Sequence, residues 1–203
     1  LANKTSMELA EERGEAPDME GTGMRNAHLL AVAPNATSSI ICGGTSPSIE
    51  PIRANVFIHK TLNGSFQVRN RQLHNLLKQK WNNSEELQKE YDSDYQQFKD
   101  KIWKSISENT GSVKHLDFLT DLERDVFKTA DEIDQNWIIE HASKRQEFIC
   151  QAQSVNLFFV APRVQAKQEE HDNFLRYTNK VHYQAWKKGL KSLYYLRSRE
   201  GKS

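Results

Sequence analysis

An α/β fold with parallel strands is what this sequence predicts, and three observations carry that expectation. Apolar stripes of helical period alternate with short β-branched and aromatic runs, and the last helix-length segment feeds directly into a strand-like one. The length, 203 residues, suits one domain or slightly more. Hydrophobic residues make up 37% and mean hydropathy is −0.77, lean for a self-contained α/β core, so part of that core is expected to come from elsewhere.

Thr5-Ser6-Met7-Glu8 has the capping-box form and predicts a short helix that stops at Gly14. Residues 14–25 hold three glycines and a proline and read as a loop. Residues 27–33 read as a buried strand that breaks at Pro34. A polar loop follows, with Thr37, Ser38 and Ser39 in a row where an apolar segment restarts. Cys42–Pro47 is turn chemistry, Arg53–Thr61 alternates as a strand, and Leu62-Asn63-Gly64-Ser65 supplies a hairpin-type turn. Leu87, Tyr91, Tyr95, Phe98, Ile102 and Ile106 recur at spacings of three and four, which predicts one apolar stripe on a helix of about five turns or more.

Further along, Thr120-Asp121-Leu122-Glu123 is a second capping box, starting a helix through Ala130. Ile133, Trp137, His141 and Phe148 are expected on one face of the next helix. Residues 155–160 form a compact strand-like run. A long helix from about Val164 to Lys191 has Phe174, Tyr177, Val181 and Ala185 on its inner side, and leads into a short strand at Leu193–Leu196.

Several function classes find no support. With 28 Lys+Arg against 27 Asp+Glu, nothing asks for a nucleic-acid or membrane partner. The basic end (Lys187, Lys188, Lys191, Arg197, Arg199) suits helix-dipole and solubility needs. There is no signal peptide, no run of membrane-span length, and no metalloprotease, paired-cysteine, Walker or dinucleotide motif. Histidines such as His141 and His171 read as packing or solvated residues, and no metal site is expected. Cys42 and Cys150 make no disulfide framework and lie beside no obvious activating base.

Two features retain chemical interest. The first N–H groups of a helix lack internal partners, so the polar loop can aim N–H groups and hydroxyls at an anion. An ordinary N-cap is the competing reading, since Ser, Thr and Asn favour that position. Tyr194 and Tyr195 are the second feature. On a buried strand their rings point to opposite faces and both hydroxyls need partners; plain β-propensity is the alternative.

Four blocks in order, ELAEERG (8–14), GMRNAHLLAVAPNATSSIICGGTSPSIEP (23–51), FICQAQSVNLFF (148–159) and GLKSLYYLR (189–197), resemble the C-terminal part of the catalytic α subunit of aerobic class I ribonucleotide reductase, in a phage-like version. The likeness runs from about residue 6 to 199; the blocks around 26–51 and 189–197 are specific and 71–147 is generic. It implies the C-terminal part of a ten-stranded α/β barrel. Within 1–203, residues 6–70 would hold the substrate loop and flanking strands, 71–148 a helical segment, and 149–203 a strand–helix–strand ending in the Tyr pair.

The resemblance also implies roles. Pro34, Asn35, Ala36, Thr37 and Ser38 match the segment that binds the substrate diphosphate, while Tyr194 and Tyr195 match a stacked pair relaying a radical, Tyr195 nearer the partner subunit. Expected partners are a ribonucleoside diphosphate, the N-terminal remainder of the α subunit, and a small subunit carrying a di-metal centre and tyrosyl radical. Thioredoxin or glutaredoxin would serve as reductant, with no cofactor on this chain and a cytoplasmic setting (host cytoplasm if viral).

The family's radical cysteine, its neighbouring Asn and Glu, its disulfide-forming cysteines and its redox tail match no position here. A fragment or split-gene product is therefore expected, and Cys150 stands where FIDQ-type versions carry an acidic residue. Two alternatives remain open at this level. One is a non-catalytic helical interaction module or inactive split-gene relic; the other is a cobalamin-dependent reductase, against which the Tyr pair argues.

Overall fold

Three parallel backbone segments form a ladder that organises one of the two structural units. The computed structural model describes residues 1–43, 46, 49–62 and 64–201. The first unit is built chiefly from Leu1–Ser38 and residues 134–201, the second chiefly from residues 51–133. In chain order the elements are α1 (Ala2–Arg13), α2 (Ala36–Ile41), β1 (Val56–Thr61), β2 (Gly64–Arg69), α3 (Arg71–Asn82), α4 (Glu85–Glu90), α5 (Tyr95–Glu108), α6 (Asp121–Val126), α7 (Gln135–Gln146), β3 (Leu157–Ala161), α8 (Gln168–Lys187) and β4 (Leu196–Glu200).

In the first unit β3 and β4 pair in parallel, from Leu157 opposite Leu196 to Ala161 opposite Glu200. The long helix α8 makes the crossover that parallel pairing requires. Residues 150–157 form the middle rail. On one edge Val32 bridges Gln153 in parallel, through Val32 N–H to Ala152 O (3.2 Å) and Ser154 N–H to Val32 O (2.9 Å). On the other edge Tyr194 N–H bonds to Val155 O (2.9 Å) and Leu157 N–H to Tyr195 O (2.9 Å). Residues 152 and 154 thus turn one way and 155 and 157 the other, the alternation of an extended strand.

Ile139 of α7, Leu157 and Phe159 of β3, and Val181 and Ala185 of α8 form the apolar core of this unit, with Phe174 and Tyr177 packed against it as the stripe predicts. Polar side chains complete the backbone pairing. Gln135 Oε1 accepts the Phe158 N–H at 2.8 Å, and the Gln135 N–H bonds to Tyr177 Oη at 2.8 Å. The Tyr177 hydroxyl donates to Asp134 at 2.7 Å.

That last pair carries a pH signature. Burial, then the bond to Asp134, pushes Tyr177 up to about 12. Burial alone would raise Asp134, but the Asn136 N–H and the Tyr177 hydroxyl outweigh it and hold the carboxyl below its ordinary value. Protonated Tyr177 therefore stabilises the fold fully below its ordinary value of 10.0, and the contribution is lost as pH rises through about 12. Melting scans should show Tm falling over that alkaline window in the wild type and a shallower fall in Tyr177→Phe; parallel curves would refute it.

The second unit gathers Leu73, Leu77 and Trp81 of α3, Leu87 of α4, and Phe98, Ile102, Trp103 and Ile106 of α5 around one core. β1 and β2 form the expected antiparallel hairpin, with Thr61 opposite Gly64; Asn63 of the predicted turn lies outside the described residues. Gly111 adopts φ +84°, and a side chain there would put its Cβ 2.4 Å from that of Ala54, so only glycine fits. In the turn predicted at Cys42–Pro47, residues 44, 45 and 47 lie outside the described residues.

Five expectations need correction. Helix α1 starts at Ala2 rather than at the Thr5 box, with the Thr5 N–H already bonded to Leu1 O (3.0 Å); the Ser6 hydroxyl turns to Asn26, donating to its Oδ1 (3.1 Å) and accepting its N–H (3.0 Å). Residues 27–33 are mostly exposed and make a single bridge instead of a buried strand; beyond Ser154 the edge of the middle rail is taken by the Gln135 side chain. The stripe from Leu87 to Ile106 is split between α4 and α5, since Asp92 (φ 51°) and Ser93 (φ 58°) turn left-handed and Asp94 caps a new helix.

The Thr120–Glu123 capping box forms as predicted, yet its helix ends at Val126 and a 3-10 turn, Ala130–Glu132, follows, with Glu132 bonded to Thr129. Finally, α7 turns Gln135, Ile139 and Ala142 inward, while Trp137 is 62% and Phe148 76% exposed. Small Ala142 and chain-capping Gln135 decide that face, and hydrophobicity alone does not reveal it.

Candidate functional site

The polar loop grows out of the edge rail. Proline at 34 ends pairing because it lacks an N–H, and Asn35 immediately precedes α2. Ala36, Thr37 and Ser38 form its first turn. Residues 34–38 are all exposed, with the Ser38 hydroxyl donating to Asn35 O at 3.4 Å, whereas Ser39 turns inward. Five exposed residues, two of them bearing hydroxyls, thus form one short segment at a helix start, a setting suited to an anion.

Tyr194 and Tyr195 lie just before β4, held by the middle rail. Besides the two ladder bonds, the Tyr195 N–H bonds to Asn156 Oδ1 at 3.0 Å. Their ring centroids are 4.2 Å apart at an interplanar angle of 53°. The expectation of an enclosed pair on opposite strand faces is overturned: the rings are 49% and 50% exposed, and β4 begins only at Leu196. Irregular backbone before the strand frees the two rings from alternation, so they turn together. A hydrogen bond to Tyr195 and the charge of that neighbouring phenol raise Tyr194 above its ordinary value, with Arg197 opposing.

Register relates loop and rings. Pro34 lies two residues beyond Val32, which is level with Gln153; Tyr194 is bonded to Val155, two residues beyond Gln153. The loop therefore departs from one side of the middle rail past Gln153, and the rings sit on its other side at Val155.

Two further contacts were missed in the sequence. The Arg197 guanidinium carbon lies 5.0 Å from the centroid of the Tyr195 ring; a cation two positions from an aromatic residue is the signal that points to it. Cys150 Sγ accepts the N–H groups of Leu29 (3.0 Å) and Leu30 (3.1 Å). Nothing in the sequence indicates that contact, which spans 121 positions. Among the described residues no three His, Cys, Asp or Glu side chains converge as for a metal ion, and no helix is long and apolar enough to cross a membrane.

The family model of the ribonucleotide reductase barrel domain matches residues 16–196. The chain belongs to that family. It is 44% identical over 197 residues to the ribonucleoside-diphosphate reductase large subunit of Invertebrate iridescent virus 3, covering 97% of this chain and 28% of the relative. Over 202 residues it is 43% identical to the putative large subunit of Frog virus 3, covering 100% and 31%. Among solved structures, the Actinobacillus ureae class Id ribonucleotide reductase alpha subunit superposes with a TM-score of 0.70 at 36% identity, over 97% of this chain and 31% of that one. The chain thus spans less than a third of these relatives. Its fold is part of the ribonucleotide reductase α/β barrel, as the four sequence blocks imply.

Proposed function

We propose that this chain is part of the catalytic subunit of a ribonucleoside-diphosphate reductase, supplying the substrate diphosphate cradle and the tyrosine radical relay. The observation that carries this reading is that loop and ring pair flank the same middle rail, the loop two residues past the Val32–Gln153 bridge and the rings at Val155. In it Pro34, Asn35, Ala36, Thr37 and Ser38 hold the diphosphate, with backbone N–H groups and the hydroxyls of Thr37 and Ser38 as donors. Tyr195 gives an electron and a proton to the incoming radical and recovers both from Tyr194, whose ring lies 4.2 Å away. Residues 6–70 then serve the substrate loop, 71–148 form a helical segment, and 149–203 carry the relay.

The partners are a ribonucleoside diphosphate, the remainder of the α subunit, and a small subunit whose di-metal centre and tyrosyl radical start the chemistry. Thioredoxin or glutaredoxin returns the reducing equivalents, and the setting is cytoplasmic, of the host if the chain is viral. Measuring ADP reduction after mixing this chain with that remainder and the small subunit tests the reading. The double variant Thr37→Val, Ser38→Ala should raise KM for ADP by about tenfold or more, since hydrogen bonds to charged groups contribute ~1.5–3 kcal/mol each. An unchanged KM removes these hydroxyls from the cradle.

A further inference from the structure

Two side chains outside the loop and the ring pair meet at one end of the ladder. Cys150 Sγ accepts the Leu29 N–H at 3.0 Å and the Leu30 N–H at 3.1 Å, and as a thiol donates to Leu30 O at 3.3 Å. The neighbouring Gln151 N–H also bonds to Leu30 O, at 3.0 Å. From the opposite side Lys191 Nζ donates to the carbonyl of Cys150, and the Ser192 hydroxyl donates to Gln153 O at 3.4 Å. Segments 29–30, 150–153 and 191–192 are thereby tied together, a few residues ahead of both Pro34 and Tyr194.

We infer that Cys150 and Lys191 are positioning residues, a clamp that sets the register of the segment entering the polar loop against the segment leading to the tyrosine pair. Such a device is needed because the edge rail has few bonds of its own: between Val32 and the middle rail only one bridge forms. A slip of one residue moves the loop by ~3.3 Å and turns its side chains to the other face. A sulfur that takes the N–H groups of both Leu29 and Leu30 marks one position of that register. The Leu30 and Leu29 bonds, with the Lys191 charge adding to them, lower the thiol from its ordinary value, in keeping with its role as acceptor of both N–H groups.

Amide hydrogen exchange by NMR on the full 203-residue chain tests the clamp without any activity. Cys150→Ala should speed exchange at Leu29 and Leu30 by about tenfold, leaving Ile139 and Val181 as in the wild type. Cys150→Asp, whose carboxylate oxygens can accept both N–H groups, should return both amides to slow exchange. Lys191→Met should speed exchange at Tyr194. Equal exchange in wild type and Cys150→Ala, or no rescue by Asp, overturns the clamp. Should Cys150→Ala not fold, Cys150→Ser carries the same comparison, since a shorter neutral hydroxyl is a poorer partner for the two donors.

The consequence for substrate rests on reading residues 34–38 as the cradle. In the reassembled enzyme Cys150→Ala should raise KM for ADP severalfold and Cys150→Asp should not. Loosened amides with an unchanged KM overturn the coupling to the loop. A wild-type assembly that reduces no ADP sinks the cradle reading instead, and the clamp then stands or falls on exchange alone.

Discussion

Replacing Tyr195 with Phe in the reassembled reductase is expected to lower turnover ~100-fold or more, equivalent to about 2.7 kcal/mol of barrier, while KM for ADP stays within about twofold. The substitution removes one hydroxyl from a ring that is already 50% exposed, so little packing is lost. Arg197 keeps its place 5.0 Å from the ring centroid, because the π face that attracts it is unchanged. What disappears is a phenol proton that can leave with an electron, and the partner that raises Tyr194. Turnover and KM therefore separate, as a relay requires and a substrate contact does not. A variant that keeps a tenth or more of wild-type turnover removes Tyr195 from the relay. An unchanged melting temperature guards against a folding explanation.

Asn55→Ala should destabilise the second unit by ~3 kcal/mol, read as a shift of the urea midpoint at constant slope. Asn55 is fully buried and all of its side-chain polar groups are engaged. Nδ2 donates to Gly111 O (2.9 Å) and Phe127 O (2.8 Å), and Oδ1 accepts from Asn70 Nδ2 (2.9 Å). Its backbone adds Asn55 N–H to Gly111 O (3.1 Å) and Asn70 N–H to Asn55 O (2.8 Å). One residue thus ties the start of β1, the N-cap of α3, the turn after α5 and the end of α6. Alanine strands the half-buried Phe127 carbonyl and Asn70 amide and removes the buried bond to Gly111 O, and an unpaired polar group shielded from water is costly. Aspartate cannot rescue the site, since an ionised carboxylate donates nothing. A loss below ~1 kcal/mol would mean that water takes over these bonds.

Legibility from the sequence followed the range over which each determinant acts. The β3–α8–β4 unit was readable because one segment of period 3.6 sits between two short apolar runs, and parallel pairing follows from that order alone. The Thr120–Glu123 box was readable because capping is a four-residue affair. Helix α7 was misread since its inner face rests on Gln135, a polar residue made useful by the Phe158 N–H across from it. Exposure of the ring pair was misread for a similar reason: the strand starts at Leu196, three residues later than its composition suggests, and the alternation rule does not reach the two rings. Cys150 looked idle because its donors, Leu29 and Leu30, lie 121 and 120 positions away. At the loop itself, anion binding and helix capping use the same residue types, and only the outward display of residues 34–38 favours the former.

The rails of the ladder also differ in how far apart they lie along the chain, and this bears on the order in which the protein assembles. Tyr195 meets Asn156 across 39 positions, Leu29 meets Cys150 across 121. Chain-closure entropy grows by about 0.6 kcal/mol per doubling of length, so the wider closure is costlier by ~1 kcal/mol. The aromatic side should therefore zip first, presenting a half-finished template onto which the phosphate-facing edge docks last.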